Sequence, residues 1–220
     1  MSLKPTARVI VAAAAIALAA GGVQASSVAF GDSWREQRFS LFSSNDFGLQ
    51  GEALTVRSDD TVSLVWTRLP EGEWDARNAT WLWQVDESVP PTDLTEKGGD
   101  DRNLALYFVF LPQAVAERAK QSDLKDLLDE PDVRVLMYVW GGDHPNGSIL
   151  PTPYLGERGR TIIRRQARTG AEAETADLAA DYEAAFGEPV QSLVGLAVSA
   201  DSDDTNSHIE AKISRLRLLP

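Results

Sequence analysis

Apolar and polar residues alternate with a period of two along several short segments of the chain. In TWLWQV, residues 80–85, the large side chains Trp81, Trp83 and Val85 share one parity. Successive side chains of a β-strand point to opposite faces, so this parity predicts a strand with three large side chains on one face. We expect that face to lie in the core rather than to form a solvent-facing aromatic platform, because burying such rings is strongly favourable.

Eight segments carry a strand pattern: 53–57, 61–69, 80–85, 104–111, 133–140, 161–168, 190–199 and 208–219. Residues 104–111 are apolar on both faces, which predicts a strand in the middle of a sheet that is covered on both sides. Residues 161–168 are short and basic, which favours an edge strand. In 208–219 the apolar parity changes near Ser214, and a β-bulge there would direct both apolar sets to one core.

Two regions have helical spacing instead. Residues 112–130 begin with Pro112 and are followed by Pro131. Their spacing predicts one or two helical turns on a sheet edge. Residues 176–186 predict a second helix, with Thr175 as its cap and Gly187 as its terminator. About eight strands and two short helices, without regular alternation, predict a mainly β fold: an antiparallel β-sandwich of jelly-roll type.

The first residues have the pattern of a cleavable export signal. Lys4 and Arg8 precede an apolar run over 9–20, and small residues precede a cut after Ala25. The run is short for the roughly 20 residues of a membrane-spanning helix, so we expect no stable membrane insertion after cleavage. The sequence therefore predicts a signal peptide, residues 1–25, a single β-sandwich domain, residues 26–220, and a periplasmic or secreted location.

Charge and cysteine content exclude several classes of protein. The whole chain has a formal net charge of −12, and removal of residues 1–25 leaves 19 basic side chains against 33 acidic ones, a charge of −14. That field repels phosphate backbones and anionic lipid, which argues against nucleic-acid and membrane-surface binding. Without cysteine there is no disulfide, no lipoprotein anchor and no thiol nucleophile.

Catalytic signatures are nearly absent. With two histidines the chain lacks the parts of a His-rich metal site, and it contains no G-x-S-x-G, H-E-x-x-H, Walker or G-x-G-x-x-G string. A Ser-His-Asp triad is compatible with any composition, because its members converge only in space. A carboxylate pair for glycoside hydrolysis could be drawn from Asp101, Asp203 and Glu210, although nothing in the sequence sets their separation.

The acidic loop DSDDTN, residues 201–206, is the best candidate for an ion site. Asp201, Asp203 and Asp204 offer the hard oxygen ligands that calcium prefers, and a turn can direct them to a common centre. The loop lacks the glycine and the distal glutamate of an EF-hand. The alternative is a solvated turn in which these side chains cap backbone amides.

A loop rich in Gly, Asp and Asn, residues 141–148, is the candidate ligand-binding surface. Sugar-binding sandwiches stack aromatic rings on a pyranose while amides and carboxylates bond its hydroxyls. The candidate residues for such a site are Tyr138, Trp140, Asp143, His144, Asn146 and Tyr154. The same composition also fits an ordinary hairpin loop.

Five short motifs occur in a characteristic order: WLWQV at 81–85, GGDDRNLALYFVF at 98–110, YVWG at 138–141, DYEAAFG at 181–187 and DSDDT at 201–205. Together they resemble the secreted bacterial domain of unknown function 3047 family over nearly the whole mature chain. The resemblance implies a β-sandwich similar to carbohydrate-binding modules, with no established activity. Members carry a Ser/Thr-Pro-Tyr string, matched here by Thr152-Pro153-Tyr154, and often a tryptophan near residue 170, where this chain has Gly170.

These observations predict an exported binding module that recognises a saccharide or another envelope component. Two alternatives stay open: a hydrolase of envelope polysaccharide that uses loop carboxylates, and a structural or assembly protein without a small ligand. Single-domain length and the missing catalytic strings favour the binding module and the structural protein.

Overall fold

A computed structural model describes residues 25–39 and 44–220 as two β-sheets packed face to face. The predicted mainly β sandwich of jelly-roll type is thereby confirmed. Except for Ala25, the predicted signal peptide lies outside the described residues. The strands are β1 Ser26–Ser27, β2 Arg35–Arg38, β3 Asp46–Gln50, β4 Ala53–Asp59, β5 Val62–Arg68, β6 Asn78–Glu87, β7 Arg102–Leu111, β8 Arg134–Gly141, β9 Ile149–Thr152, β10 Gly156–Arg165, β11 Gly170–Asp177, β12 Ser192–Asp201 and β13 His208–Leu219.

The first sheet has the order β11-β6-β13-β4-β3, with β1 also paired to β13, and the second has the order β2-β5-β12-β7-β8-β10-β9. The pairs between named strands are antiparallel except β8 with β10, which is parallel. β7 is the middle strand of the second sheet, as predicted from its two apolar faces. The segment predicted as a basic edge strand forms β10, which is not an edge, because residues 149–152 form β9 on its far side.

Three short α-helices replace the two that were predicted: α1 Gln113–Arg118, α2 Leu124–Asp129 and α3 Leu178–Phe186. The region 112–130 divides into two helices because Asp123 starts a new one, its carboxylate accepting a hydrogen bond from the backbone N–H of Asp126. α3 begins later than predicted, since β11 continues to Asp177 and that residue, not Thr175, caps the helix. No helix in the described part of the chain is long and apolar enough to cross a membrane.

Aromatic side chains fill the space between the sheets. Trp81 and Trp83 of β6 point inward and are fully buried, as the period-two pattern predicted. The Trp81 ring lies 5.5 Å from Tyr138 and 6.4 Å from Phe108, and the Trp83 ring lies 5.6 Å from Trp140. These contacts join the first sheet to the centre of the second, so one continuous core holds the sandwich together.

A bulge in β13 lets one strand bury both of its apolar sets. Its pairing with β6 shifts register between Ser214 and Arg217, and Arg215 takes a left-handed backbone with φ of 52°. Ile213 before the bulge and Leu216 after it are both buried. The bulge predicted near Ser214 is therefore confirmed.

We expect Trp81→Ala to lower the free energy of unfolding by about 3–5 kcal/mol, because it removes a ring that contacts both sheets and leaves a cavity. Urea unfolding followed by circular dichroism measures the change. Ile149→Ala, at an exposed position of β9, is the control and should cost less than about 1 kcal/mol. Equal losses in the two variants would contradict the assignment of Trp81 to the core.

Candidate functional site

A cleft of about 640 Å³ lies on the outer face of the second sheet, the face that points away from the first sheet. Its floor comes from alternate residues of neighbouring strands, including Val109 of β7 and Val135, Met137 and Val139 of β8. The opposite parity of β8, which includes Tyr138 and Trp140, faces the core. The two apolar parities of these strands therefore serve two purposes, one filling the interior and one lining the cleft.

Segments that reach over this face form the walls of the cleft. On one side, Leu124 of α2 packs against Leu64 of β5 and Ala197 of β12. On the other side, the turn between β9 and β10 contributes Tyr154 and Leu155. The cleft is therefore a semi-enclosed space of the volume that small-molecule sites have.

One end of the cleft is polar and is organised around Arg102. Nη1 of Arg102 lies 3.0 Å from Oδ2 of Asp100 and 3.1 Å from Oδ2 of Asp201. Nη2 donates to the Tyr107 hydroxyl at 3.2 Å, and that hydroxyl lies 2.9 Å from Oγ of Ser199. A register shift between residues 102 and 104 places Arg102 on the same face as Tyr107, although their parities differ.

The ion pairs around Arg102 are shielded from water, since the Arg102 side chain is 13% exposed and the Asp201 side chain 8%. Burial acts to lower the pKa of the guanidinium, but the facing tyrosine and aspartates outweigh it, and the pKa is raised. Burial raises the pKa of the Asp201 carboxyl to about 8; Arg102 opposes the rise, and nearby aspartates add to it. Burial and the crowding of aspartates beside a single arginine therefore favour the protonated form of Asp201 near neutral pH.

Asp101 connects this polar end to the loop between β12 and β13. Its side chain is fully buried and accepts hydrogen bonds from the backbone N–H groups of Asp204 at 3.3 Å and Thr205 at 2.8 Å, and from the Thr205 hydroxyl. One carboxylate oxygen from each of Asp101, Asp201 and Asp203 lies within 4.8 Å of the others. The structure thus brings Asp201 and Asp203 together as expected, with Asp101 rather than Asp204 as the third member.

Two of the six predicted ligand-binding residues belong to the core. The rings of Tyr138 and Trp140 have no exposed surface. The Tyr138 hydroxyl donates to Oδ2 of Asp181 at 2.7 Å, and Nε1 of Trp140 donates to the carbonyl of Arg168 at 2.9 Å. The prediction that these rings stack on a ligand is therefore wrong, because the inward parity of β8 places them between the sheets.

The other four predicted residues divide between two places. Asp143, His144 and Asn146 lie in the loop between β8 and β9, where the His144 ring lies 3.4 Å from Oδ1 of Asp93, and they are not part of the cleft lining. Tyr154 does line the cleft; the residue is 54% exposed and its hydroxyl donates to Oδ1 of Asp100 at 2.9 Å. Ligand binding by the β8–β9 loop stays a prediction.

The three carboxylates considered for hydrolysis do not converge. Glu210 lies on β13 of the first sheet and pairs with Arg57, whereas Asp101 and Asp203 lie by the polar end of the cleft. Sequence reasoning missed the cleft floor and Arg102. The apolar character of both faces of residues 104–111 could have indicated the cleft floor, because one of these faces lines the cleft. We interpreted both faces as buried in the protein.

We expect Arg102→Met to lower the free energy of unfolding by about 3 kcal/mol, because it leaves the buried Asp100 carboxylate without its cation and Asp201 without its hydrogen-bond donor. Denaturant unfolding at neutral pH measures the loss. Arg57→Met is the matched control, because it removes an exposed ion pair with Glu210 and should cost less than about 1 kcal/mol. A loss no larger than that of the control would contradict the role assigned to Arg102.

Comparison with solved structures finds proteins of similar general shape and low sequence identity. A loop-swap mutant of Xyn11A from Necallimastix patriciarum has a TM-score of 0.48 at 12% identity, over 91% of this chain and 98% of the other. The xyloglucanase domain of NopAA, a type three effector from Sinorhizobium fredii, has 0.46 at 8%, over 90% and 99%. A cellulase derived from Cel12A of Rhodothermus marinus has 0.44 at 12%, over 90% and 100%.

At TM-scores below 0.5 these likenesses carry no information about ligand or activity. No curated protein shows significant sequence similarity to the chain. The family model described as protein of unknown function (DUF3047) matches residues 32–217, which include every strand that forms the cleft floor. The motif resemblance is thereby confirmed, and the chain belongs to this family.

Proposed function

We propose that this protein is exported and binds a small amphiphilic molecule in the cleft on the outer face of the second sheet. The observation that carries the proposal is the apolar lining of the cleft, where a floor of buried side chains at Val109, Val135, Met137 and Val139 is bordered by the more exposed Phe39, Leu128 and Leu155. This lining lies beside the polar group around Arg102. An apolar part of the ligand would cover the floor, and a polar part would lie by the acidic end. Envelope lipids and glycolipids belong to this chemical class.

The floor distinguishes an amphiphile from a free saccharide. A sugar laid on valine and methionine side chains loses water from its hydroxyls and gains no hydrogen bond in return, which is unfavourable. An alkyl or ring system in the cleft gains about 25 cal/mol per Å² of apolar area removed from water. Most of that area lies on the partly exposed residues around the floor, because the floor side chains are 1–6% exposed. Saccharide recognition is therefore limited to the polar end, where Tyr154, Asp100 and Asp201 offer hydrogen-bonding groups.

Charge restricts the polar part of the ligand. Five aspartates, at positions 100, 101, 201, 203 and 204, lie at or beside this end, and Arg102 already binds two of them. A hydroxyl-rich or amine head group can donate hydrogen bonds to carboxylates, whereas an anionic head group is repelled. Neutral and cationic amphiphiles should therefore bind more tightly than anionic ones.

We expect the neutral probe N-phenyl-1-naphthylamine to gain fluorescence on binding the mature protein, in buffer without added divalent cation. Dodecyl maltoside or dodecylamine, below its micelle concentration, should displace the probe at lower concentration than dodecyl sulfate. Cellohexaose and xylohexaose should not displace it. Absence of probe binding, or displacement by the oligosaccharides and not by the amphiphiles, would overturn the proposal.

A pair of variants at one floor position locates the binding. Met137→Trp fills the cleft and should raise the Kd of the probe about tenfold or more, whereas Met137→Leu nearly conserves volume and should leave it unchanged. Circular dichroism and the unfolding midpoint confirm that both variants are folded. Equal affinity in the two folded variants would place the probe elsewhere.

The hydrolase alternative has one supporting observation, the closeness of Asp100 and Asp201. Oδ2 of Asp100 and Oδ2 of Asp201 lie 3.0 Å and 3.1 Å from the same Arg102 nitrogen. These two oxygens are therefore at most about 6 Å apart, which is compatible with the separation of about 5–5.5 Å in retaining glycosidases. Release of reducing ends from envelope polysaccharide, lost in Asp100→Asn, would favour this alternative over simple binding.

Export rests on the charge and apolar pattern of residues 1–25. We expect protein recovered from the periplasm or culture medium of an expressing bacterium to begin at Ser26, as read by N-terminal sequencing. Replacement of Lys4 and Arg8 by glutamate should slow processing, because the positive charge before the apolar run orients the signal. Recovery of the uncleaved chain from the cytoplasmic fraction alone would contradict export.

A further inference from the structure

We infer that Asp101, Asp201 and Asp203 form a calcium site that joins the segment before β7 to the loop after β12. The site lies at the polar end of the cleft and shares Asp201 and Asp203 with its lining, but it does not include the apolar floor. It would hold together two segments that are about a hundred residues apart in sequence.

The spacing of the oxygens fits one ion. A carboxylate oxygen from each of the three aspartates lies within 4.8 Å of the other two. Oxygens within that limit have a common centre at most about 2.8 Å from each, and calcium–oxygen bonds are about 2.3–2.6 Å long. A small shift of the exposed Asp203 side chain would therefore let one ion contact all three. Asp203 is exposed, so water molecules can supply the remaining ligands on its side.

Asp201 provides a second observation that points to a ligand. The residue is 6% exposed, Oδ2 binds Arg102, and Oδ1 is buried with no hydrogen-bond partner among the described residues. A buried carboxylate oxygen without a partner is unfavourable and is rare in folded proteins. The same carboxylate contributes an oxygen to the three-aspartate group, so a cation bound in that group and in contact with Oδ1 would satisfy it.

The contacts of Asp101 orient its carboxylate and leave its charge unbalanced. Its donors are the backbone N–H groups of Asp204 and Thr205 and the Thr205 hydroxyl, all of them neutral. Asp101 is fully buried, and buried carboxylates are normally paired or bound to a metal ion. A divalent cation would therefore supply the positive charge that Arg102 gives only to Asp100 and Asp201.

The ligand set differs from the one expected from the loop sequence. Asp204 lies outside the group of three, and its backbone N–H holds Asp101 in place. The oxygen-only donor set selects calcium or another hard cation over zinc, which favours nitrogen and sulfur ligands. A second group, Glu87, His208 and Glu210, contains an imidazole and lies on the first sheet, so it serves as an internal control.

The test is thermal unfolding and calorimetric titration of the mature protein after removal of ions with EGTA. Calcium alone is the probe. We expect one ion to bind per chain. When the free calcium concentration is a hundred times the Kd, Tm should rise by about 5 °C, because an ion that binds only the folded state stabilises that state. Magnesium should give a smaller rise, since it requires shorter bonds and stricter geometry.

Four variants decide which residues bind the ion. Asp203→Asn changes an exposed side chain, should fold normally, and should weaken calcium binding about tenfold or more. Asp201→Asn should do the same if it folds. Asp75→Asn, at a side chain that is 93% exposed, and His208→Ala, in the second group, should bind calcium as the parent protein does.

Three results would overturn the inference. They are no calcium-dependent rise in the parent protein, an unchanged rise in Asp203→Asn, and loss of the rise in His208→Ala. The probe assay of the cleft is run without calcium, so failure of the ion site leaves the result for the amphiphile unaffected.

Discussion

Aromatic side chains from the two sheets pack against each other in the interior of the sandwich. This contact determines which face of the second sheet is left to form the cleft. Trp81 packs against Tyr138 and Phe108, and Trp83 against Trp140, so these rings occupy the interior. The opposite parity of β7 and β8 then carries valine and methionine, which must be covered by other segments. α2 and the surrounding loops cover that face in part, and the space that they leave over the aliphatic floor is the cleft.

Much of the fold could be predicted because its signals are local. The alternation with a period of two in residues 80–85 and the change of parity near Ser214 are both visible in neighbouring residues of the sequence. The structure confirms the strand and the bulge that they predict. The sequence did not predict five further strands: β1, β2, β3, β9 and β11. These strands are short or contain polar, partly exposed residues, and their pairing depends on segments that are distant in sequence. The order of strands within the sheets also depends on pairing between distant segments, so it could not be predicted from local sequence patterns.

The candidate site was harder to predict because its members converge only in three dimensions. The acidic loop was recognised from composition, but the partner of Asp201 and Asp203 is Asp101, a hundred residues earlier. Tyr138 and Trp140 were assigned to a ligand surface because aromatic rings beside a polar loop fit either role. Parity alone could not tell which face of β8 pointed to the core, since both faces are apolar and both are buried.

The position of β13 has a consequence for the time at which the protein folds during its synthesis. This strand lies between β4 and β6 in the first sheet, yet it is synthesised after both of them. Until residues 208–219 emerge, β4 and β6 have no common neighbour, and the sheet that carries Trp81 and Trp83 stays open. Closure of the first sheet therefore depends on pairing between segments that are far apart in sequence, which is slow because a long loop must close before the contacts form.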